Sequence, residues 1–135
     1  MDIFGIGSDV IEVERIKNAI ENHPRFLRKI YTEKEINYCE TKKISRFQSY
    51  ASRFAGKEAV AKSVHQGLGK FLFFNEIEIL DNEYGYPFAV VYGSSHFYFL
   101  ANNIADIKIT LSSTQSFCIA YAISLIKKEG NNERF

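Results

Sequence analysis

SRFQSYASRFAGKEAVAKSVHQGLG, residues 45–69, is the longest stretch of the chain with a helical period. Apolar residues at Phe47, Tyr50, Phe54, Ala55, Ala59 and Val60 recur at the spacing that lines one face of an α-helix. Ser45-Arg46-Phe47-Gln48 has the form of a capping box at its start, and Gly67 and Gly69 mark its end. Residues eleven apart on a helix lie about 20° apart around its axis. Glu58 therefore falls in line with Phe47, and Lys62 follows one turn later. The apolar stripe runs into a carboxylate and an ammonium. Two readings stay open: an i,i+4 ion pair on a solvated face, or a chemical site at the end of the buried face.

Working outward, Ile3 to Gly7 reads as a short buried strand, and Val13, Ile16 and Ile20 as a helix stopped by Pro24. Thr32-Glu33-Lys34-Glu35 is a second capping-box pattern, opening a short helix through Ile36 and Cys39. Beyond the glycines the period changes to two. Glu76 to Leu80 alternates, Asp81 to Gly85 is a turn, and Pro87 to Tyr92 completes a hairpin. Ser94 or Ser95 can cap a helix through Phe97, Leu100 and Ala101. Ile107 to Ser112 and Phe117 to Ile126 read as a final antiparallel pair. Helices early and strands late predict an α+β class, with helices packed on a small antiparallel sheet. The whole of 1–135 reads as a single domain, with 130–135 a frayed polar tail.

Composition narrows the function classes. An apolar fraction of 46% and a charged fraction of 24% are those of a globular protein. The net charge of +1 gives no global field toward nucleic acid or an anionic membrane, so neither is expected as a partner. No membrane span and no signal peptide are expected. Cys39 and Cys118 lack metal spacing and read as buried reduced thiols of a cytoplasmic protein. Twelve Phe and eight Tyr are more aromatic surface than one small core hides, which hints at oligomerisation.

Asp9 is the second unusual acid. It follows a strand with two glycines and precedes a helix, where a capping residue sits. The glycines do not make a dinucleotide-binding turn, because GIGSDV lacks the third glycine. Magnesium is commonly held by one or two carboxylates, with phosphate and water completing the shell. Asp9 and Glu58 would suffice if the ligand were phosphorylated. Arg46, Arg53, Lys57 and Lys62 on the long helix supply cations that could meet such a ligand.

GIGSDVIEVERI at 5–16, RFLRKIYTEKEINYC at 25–39 and RFAGKEAVAKSVHQGLG at 53–69 stand in the order and spacing of a known family. With FNEIEILDNEYGYPFAVV at 74–91 and IKITLSSTQSFCIAYAI at 107–123, the chain resembles the holo-[acyl-carrier-protein] synthases, short bacterial 4′-phosphopantetheinyl transferases. The resemblance implies the fold of that family and transfer of 4′-phosphopantetheine from coenzyme A to a serine of apo acyl carrier protein. The other product is adenosine 3′,5′-bisphosphate, and the setting is fatty acid biosynthesis. It also implies Mg²⁺ held by Asp9 and Glu58, with Asp9, Glu58 and Lys62 carrying catalysis. The serine proton goes to Glu58 or to a metal-bound water. Arg46, Arg53, Lys62, Gly67, Gly85, Pro87, Ser113 and Thr114 are the implied coenzyme A contacts. Arg15, Arg25, Phe26 and Arg28 are the implied carrier-docking surface, three arginines around an exposed aromatic. A homotrimer with active sites between subunits is implied as well.

Two positions depart from the family pattern. Ser113 stands where a histidine is usual in an SLSHT-like block, and Tyr86 replaces the lysine of a GKP turn. His23, His65 and His96 match no motif and read as structural or surface residues. A coenzyme A or carrier-binding module without turnover, and a metal-dependent phosphohydrolase, are the competing expectations.

Overall fold

The computed structural model describes residues 1–127, and the predicted tail at 130–135 lies outside them. The 45–69 stretch forms the central helix, α4 (Arg46–Ser63). Tyr50, Ala51, Ala55, Ala59 and Val60 are completely buried along it. Four of these are small, so the helix can lie close against a sheet.

That sheet has three antiparallel strands: β1 (Asp2–Glu12), β5 (Phe117–Ile126) and β4 (Ile104–Ser113), with β5 in the middle. Along β5, Cys118, Ala120, Ala122 and Ser124 face α4 and are buried, while Phe117, Ile119, Tyr121 and Ile123 face outward. The two glycines of β1 serve this packing. A Cβ at Gly7 would collide with the Ala59 carbonyl, and one at Gly5 with that of Ser63. Close helix–strand approach accounts for both glycines.

The predicted hairpin forms from β2 (Ile77–Asp81) and β3 (Pro87–Val91), as a separate two-stranded sheet. Its turn is held by Asn82 Oδ1, which accepts from the backbone of Tyr84 and Tyr86, and by Gly85 at φ 84°. Helices α1 (Val13–Asn22), α2 (Phe26–Ile30) and α3 (Glu33–Glu40) connect β1 to α4. The Thr32–Glu35 capping box at α3 is present with both reciprocal bonds. Helix α5 (Gly93–Ala101) joins β3 to β4.

Local rules failed in four places. The first strand runs to Glu12, because its ladder with β5 continues through Glu12 opposite Phe117. Asp9 is thus a strand residue paired with Ala120, not a helix cap. Ser45 makes no capping bond, since a 3-10 turn over Lys43–Ser45 leads into α4 and Gln48 is engaged elsewhere. Ser94 and Ser95 lie inside α5, with Tyr92 at the capping position, and both hydroxyls donate to Glu76 Oε1. Finally, α4 ends at Ser63, and the left-handed residue that follows is His65 at φ 64° rather than Gly67 or Gly69. The short helix α2 had no separate signal in the sequence.

Candidate active site

Asp9 projects from β1 toward α4 and is half-buried. Its Oδ1 lies 3.4 Å from Lys62 Nζ, which also donates to the Ser8 carbonyl at 3.1 Å. Glu58 sits one turn before Lys62, also half-buried, and accepts no hydrogen bond among the described residues. Burial raises the pKa of Asp9, against the opposing charges of Lys62 and Arg15. Burial also raises that of Glu58, and the Asp9 charge adds to the rise. The Asp9 charge therefore reaches Glu58, although 49 positions separate them in sequence. Ser8, Asp9, Val10, Lys62, Ile119 and Tyr121 line an open cleft of ≈ 460 Å³ at this point.

The donors are hard carboxylate oxygens, partly desolvated and repelling each other, which suits magnesium. They are too few to hold the ion alone: no group of three or more potential ligands occurs among the described residues. Water and a phosphorylated ligand would have to complete the shell.

The other expected residues are spread around the molecule. Arg46 pairs with Glu40 at 3.3 Å and stacks over the Phe47 ring. Arg53 is buried, 3.0 Å from Asp81 Oδ2 and 4.5 Å above the centre of the Tyr38 ring. Its Nε and Nη2 make no hydrogen bond of good geometry. This corrects the expectation of an open phosphate ligand, because the guanidinium is enclosed and already faces a carboxylate. Five residues around a helix is about 140°, so Arg53 and Glu58 look out from different sides of α4. Lys57 is corrected more strongly. It is fully buried and donates to Glu35 Oε1 at 2.7 Å, to the Phe74 carbonyl at 2.9 Å and to that of Ile77.

Gly67 has open space where a side chain would be, and Gly85 and Pro87 flank the exposed tip of the hairpin. Ser113 and Thr114 lie at the end of β4, where Gln48 Nε2 donates to Ser113 Oγ at 2.9 Å and to the Thr114 carbonyl at 2.8 Å. Arg15, Arg25 and Arg28 are exposed as expected. Phe26 is not: it is half-buried, with its ring against Tyr31 and Phe54. His65 contacts the Phe4 carbonyl at 3.1 Å, while His23 and His96 are exposed, all in keeping with the structural or surface reading. Burial pushes the Cys39 thiol up to about 11, so it is inert.

Sequence reading missed Glu35 and Gln48. Glu35 had a sufficient local explanation in the α3 capping box, which concealed its second role opposite Lys57. The only signal at Gln48 was a false capping box.

The sequence profile of the 4′-phosphopantetheinyl transferase superfamily matches residues 5–122. The holo-[acyl-carrier-protein] synthase of Ruminiclostridium cellulolyticum is 44% identical over 119 residues, covering 87% of this chain and 89% of that one. The synthase of Clostridium novyi is 40% identical, covering 96% and 92%. Among solved structures, a Bacillus anthracis holo-(acyl-carrier-protein) synthase in complex with CoA (3′,5′-ADP) superposes with a TM-score of 0.79 at 30% identity, covering 94% of this chain and 100% of that one. A Helicobacter pylori synthase in complex with coenzyme A gives 0.77 at 29%, covering 89% and 99%.

Proposed function

Because the chain belongs to the 4′-phosphopantetheinyl transferase superfamily, we propose that the cleft at Asp9 and Lys62, with Glu58 one turn before Lys62, is where it carries out that family's transfer. The protein is a holo-[acyl-carrier-protein] synthase in function. It moves 4′-phosphopantetheine from coenzyme A to a serine of apo acyl carrier protein. The serine oxygen forms a bond to the β-phosphorus of the pyrophosphate as the bridging P–O bond breaks. Adenosine 3′,5′-bisphosphate leaves, and the serine proton must be accepted.

The observation that carries the assignment of the site is Asp9 set 3.4 Å from Lys62 in an open cleft, with half-buried Glu58 one turn before Lys62 on α4. Bound there, Mg²⁺ would supply positive charge against the pyrophosphate as negative charge builds on the leaving group. Asp9 and Glu58 would hold it. Lys62, half-exposed on a flexible stem, reaches the same region and neutralises phosphate charge. Among this chain's own groups, Glu58, half-buried and accepting no hydrogen bond among the described residues, is the one placed to take the serine proton. Ser113 donates or accepts a hydrogen bond at the nucleotide but does not replace the missing histidine as a base.

The outer sheet face supports a homotrimer. Ile6, Val10, Tyr121 and Ile123 lie exposed on it, and Val10 and Tyr121 also line the active cleft. A contiguous apolar face of this kind marks an interface. A second copy seated there would place its residues at the site. Arg46, Gly85, Pro87, Ser113 and Thr114 would then contact coenzyme A across the subunit boundary, with Arg53 held beneath them against Asp81. Arg15, Arg25 and Arg28 would receive the acidic carrier, with half-buried Phe26 beneath them. Among the described residues no helix is long and apolar enough to cross a membrane. Two buried free thiols fit a cytoplasmic protein serving fatty acid biosynthesis.

Incubation with apo carrier protein, coenzyme A and Mg²⁺ should add the mass of phosphopantetheine to the carrier, and chelation should stop it. Release of free phosphopantetheine without a carrier would make the protein a hydrolase instead. An unmodified carrier under every divalent ion would remove the transfer assignment.

A further inference from the structure

Lys62 is the only ion-pair partner of Asp9 among the described residues, and Glu58 has none. The contact is loose: 3.4 Å from nitrogen to oxygen, with the lysine side chain 52% exposed and the aspartate 17%. A second bond to the Ser8 carbonyl steadies the ammonium in the mouth of the cleft. Lys62 thus supplies the positive charge that two neighbouring carboxylates require. It does so from the last turn of α4, on a stem free to swing into solvent. Two cations cannot use one carboxylate oxygen without strong mutual repulsion.

We propose that Lys62 is a removable counter-ion that competes with the divalent metal for Asp9, and that coenzyme A shifts the competition by giving the displaced ammonium a phosphate. The inference rests on the reading of Asp9 and Glu58 as metal ligands. It means that Lys62 weakens metal binding to the free protein while aiding the complex. It also makes metal and coenzyme A bind with positive coupling.

The test is a Mn²⁺ titration of the whole protein, with free ion followed by electron paramagnetic resonance, in the absence of coenzyme A. Lys62→Gln and Lys62→Met should each bind Mn²⁺ about twofold to fivefold more tightly than the parent, the range expected for a partly exposed ion pair. Arg15→Gln is the control for general electrostatics. Arg15 also acts on both acids but makes no contact with Asp9. Its removal should tighten binding by less than about twofold. Unchanged or weaker binding in both Lys62 variants, checked as folded by circular dichroism, overturns the proposal. Equal tightening by Arg15→Gln overturns it too. Repeating the titration with coenzyme A separates the two ideas. A parent protein that binds Mn²⁺ no better than Asp9→Asn in that complex loses the metal reading itself. A normal site in the complex, with Lys62 variants unchanged in the free protein, removes only the competition.

Discussion

Lys57 and Lys62 lie less than two turns apart on α4, and each faces a carboxylate. Around Lys57 every valence is used. Its three donors meet Glu35 and the carbonyls of Phe74 and Ile77, and Glu35 also accepts from the backbone of Thr32 and Ile79. Both side chains are fully shielded from solvent. Around Lys62 the bonds are long, the lysine is half in water, and Glu58 has free lone pairs. The same chemical pair is a closed rivet in one place and an open, unsaturated contact in the other. The difference lies in saturation and access. A closed network leaves nothing for a ligand to complete, whereas the Asp9–Glu58 pair is unfinished.

The largest effect expected is on the closed side. Glu35→Gln or Lys57→Met leaves an unpaired buried charge or donor, and should cost about 3–5 kcal/mol in urea unfolding. Lys57→Met combined with Glu35→Leu should recover only part of that loss, since the N–H groups of Thr32 and Ile79 and the carbonyls of Phe74 and Ile77 lose their partners. Lys62→Met should cost less than about 1 kcal/mol. Equal losses for Lys57→Met and Lys62→Met would erase the distinction between the pairs.

Next is the open side. Glu58→Gln should lower transfer by about 10²–10³-fold, the scale for removing one preorganised electrostatic group. Its unfolding midpoint should stay close to the parent's, although Glu58 adjoins Lys57 in sequence. Parental turnover would take Glu58 out of the site, and a large stability loss would make it a second rivet.

How much of this the sequence disclosed follows the same division. Periodicity placed α4, the hairpin and the β4–β5 pair, because each is a local pattern that tertiary packing did not override. It could not see that Gly5 and Gly7 exist to let β1 meet Ala59 and Ser63, a contact between distant segments. Nor could it tell Lys57 from Lys62, since burial depends on what α3 and β2 lay over the helix. Glu58 was singled out because its charge interrupts an apolar stripe, and Asp9 because it stands between a glycine-containing strand and a helix. Their pairing came from the chemistry of magnesium and from the family resemblance. Arg53 fell the other way: a cation at a plausible position that Tyr38 and Asp81 enclose.

The sheet supplies a smaller effect and a second way to sharpen the contrast. Ala120 and Tyr121 are neighbours on β5, one packed on α4 and one 57% exposed. If the outer face is the subunit boundary, Tyr121→Asp should shift the protein to a smaller species in light scattering. A loss of about 2 kcal/mol or more is expected for a central aromatic anchor. Transfer should fall with it, because the cleft shares that face. A monomeric parent, or an unchanged assembly in the variant, would leave the apolar face unexplained.

The smallest effects should come from the exposed arginines, which differ in their distance from the two acids rather than in access. Arg15 lies close enough to lower the pKa of both Asp9 and Glu58, whereas Arg28 acts on neither. Arg28→Glu should therefore raise the KM for carrier protein by about threefold to tenfold, more at low salt, through lost steering alone. The KM for coenzyme A and kcat should hold. Arg15→Glu should raise the carrier KM too, but should also disturb kcat and the metal requirement, because a new negative charge faces two acids already in conflict. Identical kinetic profiles for the two variants would mean that Arg15 belongs to the docking surface only. The cleft would then end at Lys62. A kcat effect confined to Arg15→Glu would instead extend the open side of the molecule from α4 onto α1, and make the docking surface and the metal site neighbours sharing one residue.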